Sequence, residues 1–379
     1  MGADRAKGLG TQSRRWLSTA TCSFFLLRVL TAAHGSANQT VAVWDTEVQL
    51  REGFGYKDNL LYDPEAREHS SFFSTGLEAS LSRFSNSGHT FLAMIDGEDI
   101  RYPSGETVDK EQTLFATLQY LHHGDDWKWA WNGTYVYQDQ MFDSSATETN
   151  LSAVRALGHL IEMRPSLTRS LGPRHRLELQ PVGARQLLED PLDDYWEGGA
   201  QLTYGCAISA ATDLALAYEY LGRPYDAREK TDADGFSTGE DGLTFHEHAA
   251  SLAWRRYWDD QRKWRTLSKI RYERNLDNAA GYFNYHRYQF SHGMRFRHRA
   301  WEASLQFRLN YYDYDQQTAS SDDDSRRHKF TSSVHARIER QWTKWLGSFL
   351  DYEYESSISN TTLDEYGVNV ISAGMSLEF

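Results

Sequence analysis

The sequence predicts an all-β fold, a transmembrane antiparallel up-and-down β-barrel of about sixteen strands, and three observations predict it. Aromatic residues make up 14% of a chain that is only 40% hydrophobic, with 22 Tyr, 18 Phe and 12 Trp among 379 residues. A membrane barrel needs that mixture, because its outer face meets lipid through aromatic girdles while its inner face stays polar. Alternation of apolar and polar residues with period two recurs along the chain, and helical periodicity is nowhere sustained. Short and long connections then alternate in order, as they do between periplasmic turns and external loops.

The chain opens with an export signal. Arg5, Lys7, Arg14 and Arg15 precede an apolar stretch from Trp16 to Leu30, and small residues follow from Thr31 to Ala37, so residues 1–37 read as a signal peptide and 38–379 as one barrel domain. Cys22 falls in the segment expected to be removed, which leaves Cys206 and excludes an internal disulfide or a Cys-rich metal site. Without residues 1–37 the chain carries 35 basic and 52 acidic side chains, a formal charge of −17. That balance argues against nucleic acid as a partner. No other stretch offers the apolar length of a membrane helix, so a bilayer would have to be crossed by strands.

In order, the expected strands cover residues 46–57, 70–84, 89–102, 111–123, 127–142, 153–170, 174–188, 195–208, 212–225, 243–258, 263–275, 282–297, 301–315, 329–341, 346–356 and 365–379. Tight turns are expected at 85–88, 124–126, 171–173, 209–211, 259–262, 298–300 and 342–345, and longer loops at 58–69, 103–110, 143–152, 227–242, 316–328 and 357–364. This order puts both chain ends on the periplasmic side. Many of these segments exceed the 5 or 6 residues usual in globular strands and suit the roughly 9 to 11 needed in lipid.

In hydrocarbon every backbone N–H and C=O needs a partner, and closure is what removes the edges of a sheet. The last strand carries the most specific local feature. Ile371, Ala373, Met375, Leu377 and Phe379 alternate with polar residues. An aromatic last residue behind such a pattern resembles the form that barrel-assembly machinery recognises, so Phe379, Leu377, Met375 and Ile371 are expected to act as an insertion signal. Near the start, Gly55-Tyr56-Lys57-Asp58-Asn59 closes a strand ahead of a loop and the long strand 70–84. This resembles the Gly-Tyr-x-Asp-Asn opening of the β-barrel porin families associated with exopolysaccharide and exosortase loci. The resemblance extends in architecture over residues 46–379; it implies an outer-membrane pore or export component and supplies no catalytic residues.

The inner face of the later strands is expected to carry Arg265, Lys269, Arg271, Arg287, Arg295, Arg297, Arg308 and Arg337 beside Glu273, Glu302, Glu339, Asp351 and Glu353. Opposed charges of this kind either filter polar solutes across the lumen or form a salt-bridge network that stiffens it. Arg255, Arg256 and the cluster His292, Arg295, Arg297, His298, Arg299 suit a solvated periplasmic rim. The acidic runs Asp232–Asp241 and Asp322–Asp324 suit solvated loops, and His246 with His248 lack a third metal ligand. The sequence thus points to a Gram-negative outer-membrane channel for polar solutes or an exported polysaccharide, with no cofactor and no metal. Its other expected partners are outer-membrane lipid and lipopolysaccharide. A structural or partner-binding barrel is the alternative, and a lipid-modifying enzyme using outward His286 or His292 ranks behind both.

Overall fold

The computed structural model describes residues 44–65, 67–84, 88–143, 153–320 and 323–379. The segment expected as an export signal, residues 85–87 of an expected turn, residues 144–152 of an expected loop and Asp322 lie outside these described residues. The strands are β1 (Trp44–Lys57), β2 (Ser70–Phe84), β3 (His89–Arg101), β4 (Lys110–His123), β5 (Trp127–Asp143), β6 (Ala153–Met163), β7 (Ser166–Ser170), β8 (His175–Leu188), β9 (Tyr195–Ser209) and β10 (Thr212–Pro224). They continue with β11 (Glu229–Thr231), β12 (Ser237–Asp241), β13 (Thr244–Tyr257), β14 (Trp264–Asp277), β15 (Tyr285–His298), β16 (Trp301–Ser320), β17 (Asp323–Gln341), β18 (Leu346–Ser359) and β19 (Tyr366–Glu378). The described residues hold one short 3-10 turn, Thr362–Asp364.

All but β11 and β12 form one closed antiparallel sheet. β6 and β7 occupy a single wall position. The chain passes Pro165 there, which has no N–H for the ladder, yet Gly133↔Met163 and Ala130↔Ser166 keep one register, and the Arg164 N–H donates to the Asn132 carbonyl at 2.8 Å. Counted this way the wall has sixteen strands. Closure runs from Gln49↔Glu378 to Lys57↔Val370. The final residue joins it: the Phe379 N–H donates to the Val48 carbonyl at 2.9 Å and the Val48 N–H donates back at 3.3 Å. Gly374 permits the seam to close, because a Cβ there would lie 2.1 Å from the Glu52 carbonyl oxygen.

Two connections differ from the sequence reading. Residues 316–328, expected as a loop, mostly continue the β16–β17 hairpin, whose register shifts beyond Asp313; inside it Arg327 pairs with Asp364 at 2.6 Å. Residues 227–242, also expected as a loop, contain the β11–β12 hairpin. Both segments are polar, so neither shows the alternation that a half-lipid, half-water strand imposes.

The wall has two distinct faces. Outward lie Leu50, Phe54, Leu77, Ile95, Leu216, Ile270, Leu305 and Leu350 in one apolar band. Below it, tryptophans sit under arginines: Arg83 over Trp44, Arg169 over Trp127, Arg256 over Trp258, and Arg340 over Trp301 and Trp342. Above it, outward tyrosines bond histidines, with Tyr135 on His159, Tyr218 on His248, Tyr220 on His246 and Tyr272 on His286, all at 2.8 to 2.9 Å. Such belts are the mark of a strand-built membrane span, and the protein is an outer-membrane β-barrel. Phe379, Leu377, Met375 and Ile371 share the outward face of β19.

Loops fold inward over the outer mouth. Leu60, Phe72, Tyr102 and Val108 form one buried cluster, and Tyr195, Tyr225, Leu243, Phe245 and Phe283 form another. The outer half of the lumen is therefore lined partly by apolar side chains, while the periplasmic half keeps its charged wall.

Candidate solute pathway

Strand alternation decides which charges reach the lumen. On β14 the outward positions are Trp264, Ile270 and Tyr272, so Arg265, Lys269, Arg271 and Glu273 project inward. The same reasoning on β15 to β18 sends Arg287, Arg295, Arg297, Glu302, Arg308, Arg337, Glu339, Asp351 and Glu353 inward. It also divides the supposed rim cluster: Arg295 and Arg297 line the lumen, but His292 faces outward between Phe290 and Met294, and His298 faces outward at the strand's end beside Trp301.

Most inward arginines are held by carboxylates. Arg271 meets Glu219 at 3.0 Å, Glu247 at 2.8 Å and Glu273 at 3.2 Å. Arg287, 3% exposed, pairs with Glu273, 1% exposed, and the Tyr285 hydroxyl donates to that same carboxylate at 3.2 Å. Arg164 bridges Glu162 and Glu219 at 2.9 and 3.4 Å. Nearer the seam, Arg337 meets Asp351 at 3.0 Å and Glu339 at 2.6 Å, and Arg51 meets Asp96 at 3.1 Å. Glu302 receives both Arg295 and Arg297. Buried pairs of this kind fix side-chain geometry more than they add stability.

The arrangement is polarised across the lumen. The strands β13 to β15 bring Arg255, Arg265, Lys269, Arg271, Arg295 and Arg297 to one side. Half a circuit away, β1 to β3 bring Asp45, Glu47, Glu78, Asp96 and Glu98. The charges expected from the sequence lie on the later strands and leave out this acidic arc, although the same parity rule marks it. Among the described residues, neither Glu98 nor Glu353 has an ion-pair partner, and both are exposed to the lumen.

At the outer mouth, Lys57 pairs with Glu111 at 3.0 Å, and the Tyr102 hydroxyl donates to the same carboxylate at 2.8 Å. Burial, then the Glu111 charge, pushes the Tyr102 hydroxyl far above its ordinary range. Burial does the same to Tyr62, over which the Lys57 ammonium sits at 5.1 Å. Both phenols stay neutral, and Tyr102 acts as a donor.

Two further expectations can be placed. His246 and His248 face outward on the upper tyrosines, whereas Glu247 points inward to Arg271; the tripeptide is split between two environments. His292 bonds the Ser268 hydroxyl at 2.8 Å on the outer face. That Ser–His pair lies between Trp264 and Tyr272, amid hydrocarbon and away from the level of lipid esters. Among the described residues no carboxylate or amide orients the imidazole, and the neighbouring backbone N–H groups serve the ladder, so the geometry for acyl transfer is not assembled.

No family model matches the chain, and no curated protein does. Among solved structures it is similar to Acinetobacter baumannii OccAB1, at 8% identity and a TM-score of 0.52 over 91% of this chain and 100% of that one. Pseudomonas aeruginosa OccK8 (OprE) is similar at 9% identity and a TM-score of 0.49, covering 89% and 98%. A BenF-like porin from Pseudomonas fluorescens Pf-5 follows at 8% identity and 0.47, covering 88% and 99%. The OccAB1 similarity, which extends over the whole length of that chain, shows the fold.

Proposed function

We propose that this protein is a passive channel by which small polar solutes cross the outer membrane. The observation that carries this reading is the inner wall: sixteen strands enclose a charged surface whose basic side, β13 to β15, confronts an acidic side, β1 to β3. Sixteen-strand barrels are wide enough for an aqueous passage, and a wall of ion-paired charges such as Arg271 with Glu219 and Glu247 gives that passage a polar lining. Small solutes suit this chain better than an exported polysaccharide, because inward-folded loops roof the outer mouth with Leu60, Tyr102, Tyr225 and Phe283.

Planar-bilayer recording of the purified, heat-modifiable protein is the direct test. Stepwise ohmic conductance is expected. Folded protein that inserts and gives no steps removes the channel reading. The same apolar clusters favour one second reading, a partner-binding barrel with a closed lumen, which predicts silent bilayers and an envelope protein that co-purifies in fixed ratio.

A further inference from the structure

Two ionisable side chains stand on the lipid face away from both aromatic belts. On β1 the outward series is Trp44, Thr46, Val48, Leu50, Glu52, Phe54 and Tyr56, and Glu52 is exposed between Leu50 and Phe54. Its cross-strand neighbours are Thr75 and Met375. On β15 the outward series from the top is His286, Tyr288, Phe290, His292, Met294 and Phe296, and His292 lies beside Phe307 and Ser268. Each group is half satisfied within its own chain. The Thr75 hydroxyl donates to Glu52 Oε2 at 3.0 Å, and Ser268 Oγ bonds His292 Nδ1 at 2.8 Å. Among the described residues no partner meets Glu52 Oε1 or His292 Nε2.

A carboxylate and an imidazole in hydrocarbon are costly unless paired, and such groups usually mark a protein contact. Depth narrows the choice of partner. Glu52 lies two outward positions beneath Tyr56, and His292 two outward positions beneath Tyr288. Copies inserted by the same route share one orientation in the membrane, so a contact between them joins groups only at equal depth. The acid of one copy and the imidazole of the next meet that condition and are complementary in hydrogen bonding.

We infer that this barrel associates with further copies of itself, head to tail, through a Glu52–His292 contact within the bilayer. The two groups lie five strands apart, from β15 through β16, β17, β18 and β19 to β1, so the contact joins two different faces. It is heterologous, and produces a ring where the rotation closes and a row where it does not. The Glu52 face is shallow enough for close approach, with Ala79, Gly97 and Ala373 among its outward residues.

Disulfide trapping in isolated outer membranes tests this. Cys206 is the described cysteine and faces outward on β9 between Tyr204 and Ile208, so it is first replaced by Ser. In that background, membranes carrying both a Glu52→Cys and a His292→Cys population should give oxidant-dependent dimers, the double variant should give a ladder, and each single variant alone should give neither. Glu52→Leu, with His292 intact, should lower the oligomer fraction on native gels by about tenfold, the size of one lost charged hydrogen bond, while heat modifiability persists. The exchange of the two residues, Glu52→His with His292→Glu, should restore it. Absence of mixed crosslinks in heat-modifiable protein, or equal crosslinking by Glu52→Cys alone, overturns the inference.

Discussion

Glu273 shows what a single side chain does in this wall. It takes Arg287, Arg271 and the Tyr285 hydroxyl at once, and both it and Arg287 are sealed from water. Glu273→Gln keeps the volume and strands a buried guanidinium, which costs about 3 to 5 kcal/mol. Replacing both partners, Glu273→Leu with Arg287→Met, should cost far less. Urea titration of the refolded barrel, followed by tryptophan fluorescence, checks this, and equal losses in the two variants would show that the pair is not the source. The sequence reveals that Arg271, Glu273 and Arg287 face inward, because parity along one strand is a local property. It does not reveal that Glu219 and Glu247 close on Arg271, since those contacts depend on the registers of β10, β13 and β14 together.

Elements were legible wherever lipid writes on one face. Each of the sixteen expected segments overlaps a wall strand, including the two that meet at Phe379. The exceptions are where both faces are wet or both are covered, as in the β16–β17 tip and the β11–β12 hairpin. The connection after β10 adds a pH dependence. Arg185 grips Asp226 through two bonds, one at 2.9 Å, and this hydrogen bonding holds the Asp226 carboxyl below its ordinary value. A lowered carboxyl pKa means that the grip is complete above the unfolded value of about 3.9 and is lost as pH falls through the lowered one. Proteolysis within residues 225–243 should thus be level from pH 7 to about 4 and rise below that. Asp226→Asn should show the higher rate throughout; a steady rise beginning near pH 6 would instead implicate histidine.

For the molecule as a whole, the sign of the lumen follows from how its charges are spent on one another. An arginine-rich wall by itself favours anions. Here Arg51, Arg164, Arg223, Arg271, Arg287, Arg295, Arg297 and Arg337 each face a carboxylate within ion-pair distance, and a paired guanidinium projects little field beyond its partner. Glu98 and Glu353 have no such partner among the described residues, and the chain carries 53 acidic against 40 basic side chains. The residual potential in the passage is negative, so cations should be enriched there. Under a KCl gradient the reversal potential should have the cation-selective sign and shrink as salt rises, since screening shortens the reach of the wall charges to about 3 Å at 1 M. Glu98→Gln with Glu353→Gln should move it toward zero with conductance retained. Anion selectivity in the parent protein would mean that Lys269 and Arg265, not the two glutamates, set the field along the path that solutes take.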